Sequence, residues 1–336
     1  MKVRHIPMLV LHAVGLVVAL AAWQPVRAQP AATQEFMPVS VPMQLKQIAP
    51  HTYYVQGQSG IVSSANQGFN SNAGFVVTPD GVVVFDALGT PALGKAFLGL
   101  IRSVTRAPIR KVVISHYHSD HYYGLAAFKE QGPVEVIAHK EVRAYLATSA
   151  AAGRLEERRH SLAPWVNQYS TVIVPDTYLE EPASSFKLGG MTFLLLHAGP
   201  AHTPEDLMML VQEEGVLFAG DVIFAGRIPY VGDADIAPWL SAIDRLSAFR
   251  PKVLVSGHGA YSTDAAADLL LTRDYLTLLR KSMRDAVEQG RDFEEAYKAT
   301  DWSRFSALPA FSEANHKNAF DAYLNAERES LDSAAK

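Results

Sequence analysis

The spacing of apolar and polar positions changes period several times along the chain. Phe75-Val76-Val77 and Val82-Val83-Val84-Phe85 are unbroken apolar runs on either side of Thr78-Pro79-Asp80-Gly81. Runs this short, closed by turn residues, predict a hairpin of two strands buried on both faces. A strand over 52–55 precedes them. Between lies the polar, Gly/Ser/Asn-rich stretch from Gln56 to Asn72, in which Ile61, Val62 and Phe69 are the only large apolar residues. Downstream, helix-like segments over 92–104, 124–129 and 140–151 alternate with strand-like runs over 111–115 and 134–138. Further strands are expected over 192–196, 207–211 and 216–219, then a helix over 238–249 and a strand over 253–256. Short apolar strands alternating with helices imply an α/β protein whose helices cover its sheets.

The last part of the chain reads differently. Leu271, Tyr275, Leu279, Met283 and Val287 recur every four residues, and Gly290 supplies a stop. Residues 292–300 and 313–334 also read as helical. The expectation is a main domain over 51–262 with a helical extension, 263–336, packed on it.

The beginning carries an address rather than a fold. Lys2 and Arg4 precede an apolar run from Ile6 to Trp23 broken only by His12, and Gln24-Pro25-Val26-Arg27-Ala28 follows. This is the pattern of a secretory signal peptide over 1–28, cleaved after Ala28. The mature protein is then expected to be secreted, in the periplasm, without stable membrane insertion. Residues 29–50 hold four prolines and read as a linker.

Loss of 1–28 removes Lys2, Arg4 and Arg27 and no acid, so the net charge of −4 becomes −7. An acidic chain lacks the clustered cations that phosphate neutralisation requires, which argues against nucleic acid and for a small-molecule substrate. The chain has no cysteine. A metal site must therefore be built from histidine and carboxylate alone.

One stretch has that composition. Ser115 to His121 reads SHYHSDH, at the mouth of an apolar strand. His116 and His118, two apart, leave extended backbone on the same side and can clamp one ion. Asp120 and His121 follow the turn and must diverge, which suits two neighbouring ions better than one.

His116-x-His118-x-Asp120-His121 resembles the signature of the metallo-β-lactamase superfamily. The likeness extends over 52–259 through Phe85-Asp86, Gly199-Pro200-Ala201-His202-Thr203, Gly220-Asp221 and Gly257-His258-Gly259, all in order. It implies a four-layered αββα sandwich, here with a C-terminal helical extension, and two Zn2+ ions. His116, His118 and His202 would hold the first, Asp120, His121 and His258 the second, and Asp221 would bridge both. Asp120 and Asp221 would serve catalysis, and Asp86 would fix the tautomer of a ligand histidine. A metal-bridging hydroxide would then attack a small ester, thioester or lactone.

Other features modify this expectation. The most familiar β-lactamases place cysteine where this chain has Asp221, so β-lactam hydrolysis is the alternative rather than the leading reading. A non-catalytic periplasmic zinc-binding or partner protein is the third. Iron redox members usually carry glutamate where His118 stands, which favours zinc hydrolysis. Arg227 and Tyr230 are candidates to hold a substrate anion and a developing oxyanion. The stretch from Gln56 to Asn72 resembles a substrate flap, and the segment from Gly232 to Ile236 with Trp239 resembles one after the lactamase metal loop. Tyr122 and Tyr123 either narrow the pocket or pack beneath it. His139 and His197 are assigned to packing or a local hydrogen bond.

Overall fold

The computed structural model describes residues 36–334 apart from Asp233. The signal peptide expected over 1–28 lies outside the described residues. In chain order the elements are β1 (Leu45–Gln47), β2 (Thr52–Val55), β3 (Ala73–Thr78), β4 (Gly81–Phe85), α1 (Pro91–Val104), β5 (Ile109–Val113), α2 (Ser119–Tyr122), α3 (Leu125–Glu130), β6 (Glu135–His139), α4 (Val142–Leu146) and α5 (Ser149–Ser161). There follow β7 (Thr177–Leu179), β8 (Ala183–Leu188), β9 (Met191–His197), β10 (Leu207–Val211), β11 (Val216–Phe224), α6 (Ile236–Leu246), β12 (Val253–His258), α7 (Ala265–Glu288), α8 (Phe293–Ala299) and α9 (Phe311–Ala334).

The strands form two sheets, ordered β1-β2-β3-β4-β5-β6-β7 and β12-β11-β10-β9-β8. Why the central strands are apolar at every position follows from where alternate residues go. Val82 and Val84 of β4 join Leu93, Phe97 and Phe128 under α1 and α3. Val83 and Phe85 point the other way, onto Phe193, Met209 and Phe218 of the second sheet. The second sheet buries its far face, including Leu217 and Leu254, against Trp239 of α6 and Tyr275, Leu279 and Met283 of α7. Three apolar layers between four structural layers make the αββα sandwich.

The C-terminal helices continue this packing. Thr272 of α7 bonds both the N–H and the C=O of Phe224 through its hydroxyl, each at 3.2 Å. Asn318 of α9 accepts from Val231 N–H at 2.9 Å and donates to Pro229 C=O at 2.8 Å. The loop that carries Tyr230 is thereby fixed from the extension.

Four local differences from the sequence reading have physical causes. β11 runs past Ala219 to Phe224 through an irregularity at Gly220, whose φ of 53° is left-handed and which has register shifts against β12 on both sides. A polar pair inside a strand ends the apolar run without ending the strand. The helix expected over 140–151 is two helices, since Thr148 caps α5 by accepting from Ala150 N–H. The segment read as a linker contains β1, paired antiparallel to β2. Three residues, two of them exposed, are too few to show alternation. β8 was not expected, and it is an edge strand whose exposed and half-buried positions include only two large apolar residues. Among the described residues no helix is long and apolar enough to cross a membrane.

His139 and His197 end strands of different sheets, and their rings stack with centroids 3.6 Å apart at 11°. His197 Nε2 donates to Pro204 C=O at 2.8 Å. Burial, then the neighbouring His197, lowers the pKa of His139 to about 4. The folded state therefore resists a proton that the unfolded chain accepts, so this contact stabilises fully above pH 6.5 and weakens as pH falls toward 4. His139→Phe keeps a flat ring on His197 and removes the titration. Its Tm relative to the wild type should rise by a few degrees between pH 7.5 and pH 5, measured by differential scanning calorimetry; a pH-independent difference would disprove the assignment.

Candidate metal centre

Seven histidine and aspartate side chains meet at one end of the two sheets. β5 delivers His116, His118, Asp120 and His121 through the turn into α2. The loop between β9 and β10 brings His202, β11 brings Asp221, and β12 ends in His258. They fall into two groups, His116, His118, His202 and Asp221 in one and Asp120, His121 and His258 in the other. Within the first, His118 Nδ1 lies 3.1 Å from His116 Nε2 and 2.9 Å from His202 Nε2. Asp221 also reaches the second, its carboxylate oxygens lying 3.2 Å from His121 Nε2 and from His258 Nε2. Asp120 Oδ2 stands 3.7 Å and 3.4 Å from the same two nitrogens.

The protons of these rings are committed elsewhere. Asp86 Oδ2 accepts from His121 Nδ1 at 2.8 Å and from Ser115 Oγ at 2.8 Å. With its hydrogen so used, Ser115 Oγ accepts from His116 Nδ1 at 2.9 Å. His258 Nδ1 donates to Asn70 C=O at 2.6 Å. His116, His121 and His258 therefore turn Nε2 toward the centre, and on His121 the surrounding carboxylates favour a proton there that a metal ion would replace. His121 Nε2 and Asp221 Oδ1 are buried with no hydrogen-bond partner. A lone pair facing a carboxylate repels it unless a cation lies between, and burial makes that repulsion strong. The donor set is all N and O, which fits zinc held by imidazole and carboxylate.

The electrostatics agree. Burial and then His202 hold His118 down to about 3, and burial holds His202 to about 4, so both rings are neutral. Burial also favours neutral His121, but the carboxylates of Asp221, Asp86 and Asp120 together outweigh it and raise its pKa. The centre holds surplus negative charge.

The surrounding scaffold sets the geometry. Asp86 adopts φ 60°, a left-handed conformation at the end of β4 that turns its carboxylate under Ser115 and His121. Gly257 permits the approach of β12 to β11, since a Cβ there would lie 1.8 Å from Asp221 Oδ1. The loop bearing His202 is tied down by Thr203, which donates its N–H and hydroxyl to Asp206 at 2.7 and 2.9 Å. Glu205 of the same loop accepts from Tyr117 N–H at 3.1 Å.

Some placements differ from the sequence reading, and some residues were missed by it. Of the expected flap, the tip at Ile61 and Val62 faces the cavity and Asn70 lines it from below; residues 66–72 are otherwise buried scaffold. There Asn70 Nδ2 donates to Asp120 Oδ2 at 2.9 Å, and Ser71 Oγ donates to Asp120 C=O. No spacing or motif marks Asn70, because its partners are 50 and 188 residues away. Tyr122 and Tyr123 pack under the site in the core beneath α3, and Trp239 is buried with its ring 5.3 Å from His202. Arg227 and Tyr230 both line the cavity, which is about 270 Å³. Arg227 also donates to Gly60 C=O at 2.9 Å, tying the flap tip to the chain after β11.

A model of the metallo-β-lactamase superfamily matches residues 66–258. The chain belongs to the metallo-β-lactamase superfamily. The family is one of metal-dependent hydrolases, and this chain carries two groups of His and Asp that could hold a metal. A linear primary-alkylsulfatase of Pseudomonas sp. is 22% identical over 217 residues, 55% of this chain and 40% of that protein. The hydroxyacylglutathione hydrolase GloC of Haemophilus influenzae is 28% identical over 163 residues, 46% of this chain and 71% of its own. The chain thus spans well under two thirds of the alkylsulfatase. In fold, it is similar to a metallo-β-lactamase from Pontibacter korlensis, with TM-score 0.55, 21% identity and 70% of this chain and 99% of that one covered. It is also similar to the sec-alkylsulfatase Pisa1 from Pseudomonas sp., with TM-score 0.64, 19% identity and 84% and 50% covered. A match over 84% of 336 residues is longer than residues 1–262, so it reaches into the C-terminal helices.

Asp86→Ala removes the acceptor of His121 Nδ1–H and of Ser115. Metal affinity should fall by roughly 10–100-fold with the fold intact, measured by competition with a chromogenic chelator; unchanged affinity would remove Asp86 from this role.

Proposed function

We propose that the protein is a binuclear zinc hydrolase acting on a small ester, thioester or lactone. What carries the reading is the convergence of imidazole nitrogens and two aspartates, Asp120 and Asp221, at the floor of an open cavity. His116, His118 and His202 would hold one zinc and Asp120, His121 and His258 the other, with Asp221 within reach of both. Zinc bound there supplies Lewis acidity, polarising the electrophile and making water nucleophilic near neutral pH. The protein's own groups do the rest. Asp120 is the more exposed of the two aspartates, 14% against 4%, and Asn70 fixes its orientation. It is placed to hold the proton of the attacking water. Tyr230, whose ring lies 6.2 Å from that of His118, lines the cavity where its hydroxyl can donate to a developing oxyanion. Arg227 adds positive charge beside the same space.

A second reading, a sulfate ester as substrate, is supported by the length of the likeness to the sec-alkylsulfatase fold, which includes the C-terminal helices. The periplasmic location and cleavage after Ala28 belong to the same proposal. Mass spectrometry of secreted protein should find a chain beginning at Gln29.

Purified mature protein should bind two zinc ions per chain and lose turnover on chelation. Asp221→Ala should lower zinc content and reduce kcat by orders of magnitude; unchanged zinc and turnover would exclude the shared role. Assayed on lactones, thioesters, carboxylic esters, aryl sulfates and a β-lactam, the enzyme should cleave an acyl substrate fastest. A preference for aryl sulfates would establish the second reading, and cleavage of the β-lactam alone would establish lactamase activity. Inertness to all of them with both zincs bound would favour a binding protein.

A further inference from the structure

The cavity above the metal centre is lined by four cations, Arg154, Arg158, Arg227 and Lys317. The acids facing it are Asp120 and Asp221, both committed to the centre, and Glu313. Three of the cations come from segments that the family motifs do not include, α5 and α9. Arg158 is largely buried, and its Nε donates to Ser119 Oγ at 3.0 Å, between His118 and Asp120 in the chain. Its Nη1 lies 3.1 Å from one oxygen of Glu157, and Arg154 Nη1 lies 3.8 Å from the other. One carboxylate that does not line the cavity is thus shared by two guanidinium groups. Lys317 Nζ meets Asp321, also outside the lining, at 2.6 Å. Glu157 and Asp321 sit away from the cavity while Arg154, Arg158 and Lys317 face it, and Glu313 is the one lining acid outside the metal centre. Tyr117 and Tyr145, stacked at 3.8 Å, line the same space with flat apolar surface.

We propose that the substrate carries a second functional group, a carboxylate or similar anion on an apolar body, that docks on Arg158 and Arg154 of α5 and Lys317 of α9. This rests on the hydrolase reading and narrows its substrate class to anionic esters. Once zinc offsets the charge of Asp120 and Asp221, the cations leave the cavity positive and attract an anion. A guanidinium already anchored by Ser119 offers its remaining N–H groups in fixed geometry, which suits bidentate binding of a carboxylate. The C-terminal extension is then a wall of the substrate pocket as well as a cover for the second sheet.

The test compares para-nitrophenyl hemiglutarate, which bears a free carboxylate, with neutral para-nitrophenyl butyrate. The zinc-loaded wild type should favour the anionic ester by roughly tenfold or more in kcat/KM, chiefly through KM. The Arg154→Gln/Arg158→Gln double variant should bring that ratio toward one, with zinc content and far-UV circular dichroism retained, and Arg158→Lys should restore part of it. A wild-type ratio near one, or a ratio unchanged in the double variant, would overturn the proposal. If neither ester is cleaved, it is the ester-hydrolase reading that fails. The anion site is then judged by calorimetric titration of the zinc-loaded protein with glutarate. Binding weakened at least tenfold in the double variant would sustain it, and absent or equal binding in both proteins would dismiss it.

Discussion

The structure depends on one electrostatic constraint: imidazole nitrogens face buried carboxylates, and a proton or a metal ion must lie between them. His121 and His258 have given their Nδ1 hydrogens to Asp86 and to Asn70 C=O, so each turns Nε2 toward Asp120 and Asp221. In a dry pocket such an arrangement is tolerable only with positive charge at its centre. The hydrogen bonds of the outer ring thereby do two things. They fix ring orientation, and they ensure that what converges is a set of metal donors rather than a self-satisfied hydrogen-bond network.

The sandwich exists in a form that meets this constraint. Strands buried on both faces hold their ends in place to within the tolerance of close packing. The register shifts that flank Gly220 carry Asp221 to the centre while β11 remains paired to β12. Gly257 lets those two strands approach without a side chain in the way. Loops then need few residues to deliver the other ligands, and the Asn70–Ser71–Asn72 stretch joins them by bonding Asp120, Ser256 C=O and Gly259 C=O. What reads as a flexible polar stretch is half scaffold.

The C-terminal helices enlarge the role of a segment that began as a covering layer. Asn318 holds the loop of Tyr230, Thr272 holds the end of β11, and Lys317 reaches the cavity. Packing and the lining of the cavity are thus carried on neighbouring residues of one helix, α9. The likeness in fold to a sec-alkylsulfatase extends into this region.

The layer order and the addition of His202, Asp221 and His258 to the donor set were implied by the family resemblance, whereas the sequence by itself determined the alternation of short strands with helices and the cluster of candidate metal donors from His116 to His121. These last two rest on local signals: apolar runs at strand length, and His and Asp at a strand end where a chain must turn. Tertiary structure alone decided the supporting contacts. Asn70 meets His258 across 188 residues, Asp86 meets His121 across 35, and His139 stacks on His197 from another sheet. The edge strands β1 and β8 and the arginines of α5 were equally illegible, because a half-exposed strand or a surface-like cation has no period of its own. Such residues acquire a role only when packing brings a distant partner to them, and that depends on three-dimensional distance rather than on spacing along the chain.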